Sequence, residues 1–155
     1  MLFSGGFPRT PDDDHRRAAQ RAIFCVQIEL ETLSESANAA LTLCDRGVVD
    51  GYAYWPGPDD YWNAVGVSRE EALARYDAVI HLRTPTDATG YGHQNPLRTE
   101  TSVEAAAIDA RILEAWQGHP RRFLLESASD FMTKARRAIA IIRGEIPPCC
   151  LLAAD

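Results

Sequence analysis

The stretch Ala39-Ala40-Leu41-Thr42-Leu43-Cys44-Asp45-Arg46-Gly47, continuing as Val48-Val49-Asp50-Gly51-Tyr52-Ala53-Tyr54, decides how the chain is read. Leu41 to Cys44 reads as a short buried strand that ends in an acid. A basic residue and a glycine then turn the chain into a helix from Val48 to about Ala53. In open α/β sheets, ligands bind just beyond the carboxyl ends of the strands. An Asp at that point is placed to hold Mg²⁺ or a water beside a bound phosphate. The plainer reading is a surface Asp-Arg-Gly turn, since such residue types suit turns in any fold.

On the amino side, Thr10-Pro11 reads as a helix cap with proline in the first turn, and Asp12, Asp13 and Asp14 favour the positive helix end. Ala19, Ala22, Ile23, Val26, Leu30 and Leu33 then recur at helical spacing to about Ser34, with the charges between them on a solvated face. On the carboxyl side, Pro56-Gly57-Pro58 breaks the chain, and Asp59 to Ala64 reads as a short aromatic turn. Ser68-Arg69-Glu70-Glu71 is a capping box that starts a helix to about Arg75. Asp77 to Leu82 forms a second strand, ending at Arg83-Thr84. A long polar loop with Tyr91, Asn95 and Arg98 follows, and loops of this kind inside domains often act as lids. A second capping box, Thr101 to Glu104, opens a helix with Val103, Ala106, Ala107, Ala110, Leu113 and Trp116 on its apolar stripe. Gly118-His119-Pro120 stops it. Arg122 to Glu126 is a third strand, and Ser127 or Ser129 caps a last helix to about Arg143.

Strands alternating with helices predict a parallel sheet with right-handed crossovers. Its strand ends, Asp45-Arg46, Arg83-Thr84 and Glu126-Ser127, gather along one rim.

The 155 residues, 46% hydrophobic and 25% charged, are ordinary material for one globular domain. A net charge of -6 gives no general attraction for nucleic acid or anionic lipid, so neither is expected as a partner. Lys134 is the only lysine. Cys25, Cys44, Cys149 and Cys150 form no C-x-x-C. Reduced thiols are expected, with Cys25 and Cys44 in the core. His15, His81, His93 and His119 lack zinc-ligand spacing, and His81 and His93 show no partner. His119 reads as part of a helix stop and Trp116 as core. Neither a signal segment nor a membrane-length apolar run is present in these residues, so a cytoplasmic setting is the default expectation.

The segments LFSGGFPR, RRAAQRAIFCVQ, CDRGVVDGYAYW, RYDAVIHLRT, YGHQNPLRTE, D-x-R-x-L-x-x-W at Asp109 to Trp116, and HPRRFLLES span most of the chain from Leu2 to about Ala140. In order and spacing they resemble a kinase-like P-loop NTPase, and more narrowly the NadR-like AAA ATPase family. The resemblance implies a three-layer α/β sandwich with a parallel sheet over residues 1–143, followed by a tail at 144–155. It also implies ATP or GTP with Mg²⁺, and phosphoryl transfer to a small-molecule acceptor or nucleotide hydrolysis. One part of the pattern does not occur here. No G-x-x-x-x-G-K-[ST] loop is present to hold phosphates with its amides and lysine. The expectation is an amino-terminally shortened form lacking the first, central strand. The alternative is a relative that lost the loop. Either way, weak or absent nucleotide binding is expected.

On that resemblance, Asp45 orders Mg²⁺ through water or activates the acceptor, and Arg46 neutralises phosphate. Arg98 serves as the lid arginine on the transferring group. Asp50, Arg83, Tyr91 and Asn95 contact substrate or order the lid, while Ser127 and Ser129 touch the nucleotide. The structural alternatives are an Arg46–Asp50 ion pair, a solvated Arg98 pairing with Glu100, and helix capping by the two serines. A rival of another class is a non-catalytic interaction module that pairs through exposed sheet edges with a partner or as a homo-oligomer.

Overall fold

Acidic residues begin the first of the described helices, α1 (Asp13–Ser36), where their charge meets the unpaired amides of the first turn. Its cap is Asp12, whose carboxylate accepts from the Asp14 amide at 3.2 Å; the cap expected at Thr10 lies outside the described residues. The computed structural model describes residues 12–37, 39–58, 60–84, 101–126 and 131–147. After α1 come a 3₁₀ turn (Val48–Asp50), α2 (Gly51–Tyr54), α3 (Tyr61–Val65) and α4 (Arg69–Ala74). Then follow β1 (Val79–Leu82), α5 (Ser102–Ala115), β2 (Arg122–Leu125) and α6 (Phe131–Glu145). Both capping boxes form as expected, Ser68 with Glu71 and Thr101 with Glu104. The helix expected to end at about Arg143 runs to Glu145.

β1 and β2 pair in parallel, Val79 opposite Arg122 through Leu82 opposite Leu125, with α5 between them in sequence. This small parallel sheet among helices is compatible with an α/β P-loop-like fold. No helix among the described residues is long and apolar enough to cross a membrane.

The strand expected at Leu41 to Cys44 is corrected. The segment joins no ladder among the described residues, and Leu43 is 66% exposed. An extended segment becomes a strand only when a neighbour takes its amides and carbonyls. Cys44 and Cys25 are exposed rather than core residues, because Cys25 lies beside the buried Phe24 and turns outward.

The core forms where α1, the 3₁₀ turn, α3, α4 and α5 meet. It comprises Phe24, Val48, Val49, Trp55, Tyr61, Ala72, Leu73, Ala115 and Trp116. Trp116 is core, as its place on a helix predicts. Two helix faces differ from the apolar stripes expected of them. In α1 the inward side carries Phe24 and Glu31, while Leu30 and Leu33 are exposed. In α5 it carries Asp109, Ala115 and Ile112, while Val103 is exposed. Buried carboxylates cause both offsets, since each is satisfied by donors that fix the helix rotation. Glu31, expected on the solvated face, receives Arg75 Nε at 2.9 Å and Nη2 at 2.7 Å, Tyr76 Oη at 2.7 Å and Gln27 Nε2 at 2.9 Å.

Two tyrosines satisfy the buried backbone of the 3₁₀ turn. The Val48 amide donates to Tyr76 Oη at 2.7 Å, and Tyr61 Oη donates to the Val48 carbonyl at 2.8 Å. Gly51 leaves room for this second tyrosine. A Cβ there would overlap Tyr61 Oη and lie 2.9 Å from its ring carbon. By contrast, a Cβ on Gly144 in α6 would meet nothing within 4 Å. Two glycine substitutions are therefore expected to act in opposite directions. Gly51→Ala should cost about 1–3 kcal/mol by overpacking, whereas Gly144→Ala should add about 0.5–1 kcal/mol by helix propensity and reduced unfolded-state entropy. Urea unfolding of the two variants checks this, and equal midpoints would contradict it.

Candidate functional site

Two loops carry the polar groups that the strand ends were expected to present, and α5 ties down both. The first is Asp45-Arg46-Gly47. Arg46 has φ 92°, a left-handed backbone that side chains with a Cβ adopt at a cost. Its guanidinium lies 5.4 Å from the centre of the Tyr54 ring. Gly47 is the tight point, since a Cβ there would come within 2.8 Å of the Trp116 ring and 2.9 Å of Tyr76. The chain can pass Trp116 only as glycine, and the strain falls on its neighbour.

Asp50 anchors that loop from below. Trp116 Nε1 donates to Oδ1 at 2.6 Å, and the Gly47 amide donates to Oδ2 at 3.1 Å. Burial pushes the Asp50 carboxyl up, and these two bonds with the nearby Arg46 charge hold it partly back. Both oxygens are engaged within the fold, so Asp50 shapes the loop. The expected Arg46–Asp50 ion pair does not form among the described residues: the Arg46 side chain lies over Tyr54, while its charge bears on Asp50 from a distance. Asp45 and Arg46 are themselves exposed, at the outer edge of the turn.

The second loop leaves β1. Asp109 on α5 is buried and receives three bonds. Arg83 Nε donates to Oδ2 at 2.6 Å, the Thr84 amide to Oδ1 at 3.1 Å, and His81 Nε2 meets Oδ1 at 3.0 Å. Burial pushes the Asp109 carboxyl up, but these bonds and the Arg83 charge outweigh it and hold the group below its ordinary value. Arg83 is further fixed through its backbone. Its amide donates to the Leu125 carbonyl at 2.9 Å, and Lys134 Nζ donates to its carbonyl. Burial lowers the pKa of Lys134, while Asp109 and Glu126 raise it in part. Across the rim, Glu126 Oε1 is 3.9 Å from Arg83 Nη1.

The reading that His81 lacks a partner is thereby corrected: a buried strand residue meets an acid from a helix distant in sequence. Asp109, His81 and Lys134 are the members of this cluster that sequence reasoning did not assign, while Glu126 was placed on the rim as a strand end. The D-x-R-x-L-x-x-W pattern held the available signal. Asp109 holds the β1 loop, Trp116 holds the Asp50 loop, and Arg111 between them donates to the Tyr52 and Trp55 carbonyls at 3.1 Å each. Arg69 in turn donates to the carbonyls of Ala115 (3.1 Å), Glu114 and Gln117 at the end of α5.

Tyr91, Asn95, Arg98, Ser127 and Ser129 lie outside the described residues. No group of three or more His, Cys, Asp or Glu side chains suited to holding a metal occurs among the described residues. A lone exposed carboxylate such as Asp45 fits Mg²⁺ held through water, since Mg²⁺ keeps several waters and takes its remaining ligands from phosphates.

The backbone of Arg46 yields a test of the loop. Arg46→Gly should be more stable than Arg46→Ala by about 1 kcal/mol, because only glycine relieves the left-handed strain while both lose the Tyr54 contact. Thermal unfolding of the pair checks the order, and a more stable alanine variant would contradict it.

Comparison with known proteins adds one finding. No curated protein and no solved structure matches the chain. A family model described as an AAA domain, of the P-loop NTPase type, matches residues 4–134. With a β–helix–β parallel pair, an acid-bearing loop and a fixed arginine at a strand's carboxyl end, the chain belongs to this AAA domain family.

Proposed function

We propose that this AAA domain is a kinase-like, NadR-like member of its family that binds ATP or GTP with Mg²⁺ and serves phosphoryl transfer to a small acceptor. The reading places it in a cytoplasmic setting, on a three-layer α/β sandwich. The observation that carries it is the fixed Arg83, held at the carboxyl end of β1 by Asp109 and Lys134. Carboxyl ends of parallel strands are where such folds take ligands, and charge accumulates on the oxygens of a transferring phosphoryl group. In this reading Arg83 and Arg46 bring guanidinium groups to the phosphates, and Asp45 receives metal-bound water or the acceptor hydroxyl proton. Arg98, Tyr91 and Asn95 come from the long loop, and Ser127 and Ser129 follow β2. Bound Mg²⁺ would supply charge neutralisation between the phosphates.

The 155 residues contain no G-x-x-x-x-G-K-[ST] loop, so their affinity for nucleotide is expected to be weak. A second reading, an interaction module pairing through its sheet edges, draws on the exposed Leu82 of β1.

Amide NMR during titration with Mg-ATP and Mg-GTP separates the two. The nucleotide reading predicts non-saturating shifts up to millimolar ligand, concentrated at Asp45 to Gly47 and at Arg83-Thr84, and reduced in Asp45→Asn. Micromolar saturation would contradict the expected weakness. Absence of any shift at either loop, with a concentration-dependent dimer by sedimentation, would favour the interaction module.

A further inference from the structure

The arginines of this molecule differ in how they use their side chains. Arg75 closes on Glu31 with both Nε and Nη2 on a single carboxylate oxygen, 2.9 and 2.7 Å away. Arg111 and Arg122 end on backbone carbonyls, Arg122 Nη1 at 2.7 Å from that of Leu113. These arginines hold the fold together. Arg83 is arranged in another way. Its buried partner Asp109 takes only Nε, the donor nearest the chain, at 2.6 Å. The backbone on either side is pinned by Leu125 and Lys134, and the side chain remains 30% exposed. The fork at its tip faces Glu126, whose side chain is 73% exposed and whose carboxylate stands 3.9 Å from Nη1, beyond hydrogen-bonding distance.

We propose that Arg83 is a phosphate-binding residue, that Asp109 is its positioning residue, and that Glu126 occupies the guanidinium tip until a phosphate displaces it. This rests on the nucleotide reading above and names the groups that act at its rim. A clamp on Nε fixes the plane of the guanidinium and leaves two Nη groups for bidentate contact with an oxyanion. Preorganisation of this kind removes part of the side-chain entropy cost of binding. Lys134 adds a second cation one hydrogen bond away. The acids near the tip are Asp109, whose oxygens accept from His81, Arg83 and Thr84, and Glu126, which is weakly held and able to swing into solvent. Exchange of a loosely held carboxylate for a polyphosphate keeps an anion at the Arg83 guanidinium, brings further negative charge toward Lys134, and gives the Nη groups closer hydrogen bonds than Glu126 does.

Inorganic tripolyphosphate is the probe, added to the ¹⁵N-labelled 155-residue chain with the arginine Nε–H signals observed by NMR. Titration should move the Arg83 Nε–H signal, and Arg83→Gln should abolish the response of the neighbouring Thr84 amide. Glu126→Gln, a change at an exposed position, should tighten binding about threefold by removing the competing charge. Asp109→Asn should weaken it about tenfold and shift the Arg83 Nε–H signal even before probe is added. Because the Asp109 variant risks unfolding, the Glu126 and Arg83 variants carry the test on their own. An Arg83 signal that ignores tripolyphosphate in both the parent and Glu126→Gln would overturn the proposal. Unchanged or weaker binding in Glu126→Gln would also overturn it, as would equal affinity in a folded Asp109→Asn. If Arg83 stays silent while Mg-ATP moves the amides of Asp45 to Gly47, this inference fails and the nucleotide reading loses its Arg83 contact but keeps the Asp45 loop. If neither loop responds, the nucleotide reading fails with it.

Discussion

A buried indole N–H meeting a buried carboxylate, Trp116 to Asp50 at 2.6 Å, is the interaction on which the arrangement depends. Either group alone would be costly in that place, because a hydrogen bond to a buried charged group contributes about 1.5–3 kcal/mol that is lost when its partner is removed. Together they join a helix to a 3₁₀ turn that is distant in sequence. The remaining oxygen of Asp50 takes the Gly47 amide, so the Asp45-Arg46 turn is built on top of the pair. The same constraint explains why Gly47 carries no side chain and why Arg46 beside it bears a left-handed backbone. Local strain is tolerated when the surroundings over-determine the conformation. Trp116, Tyr76 and Asp50 do so here.

One helix thus serves two ends of the rim. α5 directs Trp116 toward the Asp50 turn and Asp109 toward the loop after β1, with Arg111 between them on the carbonyls that end α2. The carboxyl end of α5 is itself held by Arg69. Polar bonds rather than apolar area set the orientation of α5, whose apolar Val103 faces outward while its acid faces in. The consequence for function is geometric. A group borne on either loop inherits the rigidity of the helix, and a preorganised charge meets a ligand without the cost of being ordered first.

What was legible in the sequence follows the same line. Capping boxes at Ser68 and Thr101 are local chemistry, so both helix starts could be read from four residues each. The strands at Val79 and Arg122 were legible because β-branched and leucine-rich runs lie between turn signals. Leu41 to Cys44 has the same composition, yet pairing is a property of a neighbour, and no single run encodes its neighbour. The helix faces were misplaced for a different reason. An amphipathic count assigns every charge to solvent, whereas Glu31 and Asp109 are held inside chiefly by donors 25 to 45 positions away in sequence. The same blindness hid His81 and Lys134. Arg83 could be placed at a strand's carboxyl end because β1 was legible, whereas Asp45 and Arg46 were placed by a strand that does not form among the described residues; the groups that hold both loops come from elsewhere in the chain and leave no local signal.

The central claim is that α5 holds the Asp45-Arg46 turn through the Trp116–Asp50 bond. Amide hydrogen exchange in Trp116→Phe, which keeps a ring and removes the N–H, tests it most directly. The account predicts that the Gly47 amide loses protection by about tenfold or more, the size expected for one buried bond to a charged group, while the amides in the middle of α5 keep theirs. A Gly47 amide exchanging at the parent rate in a folded Trp116→Phe protein would contradict the account.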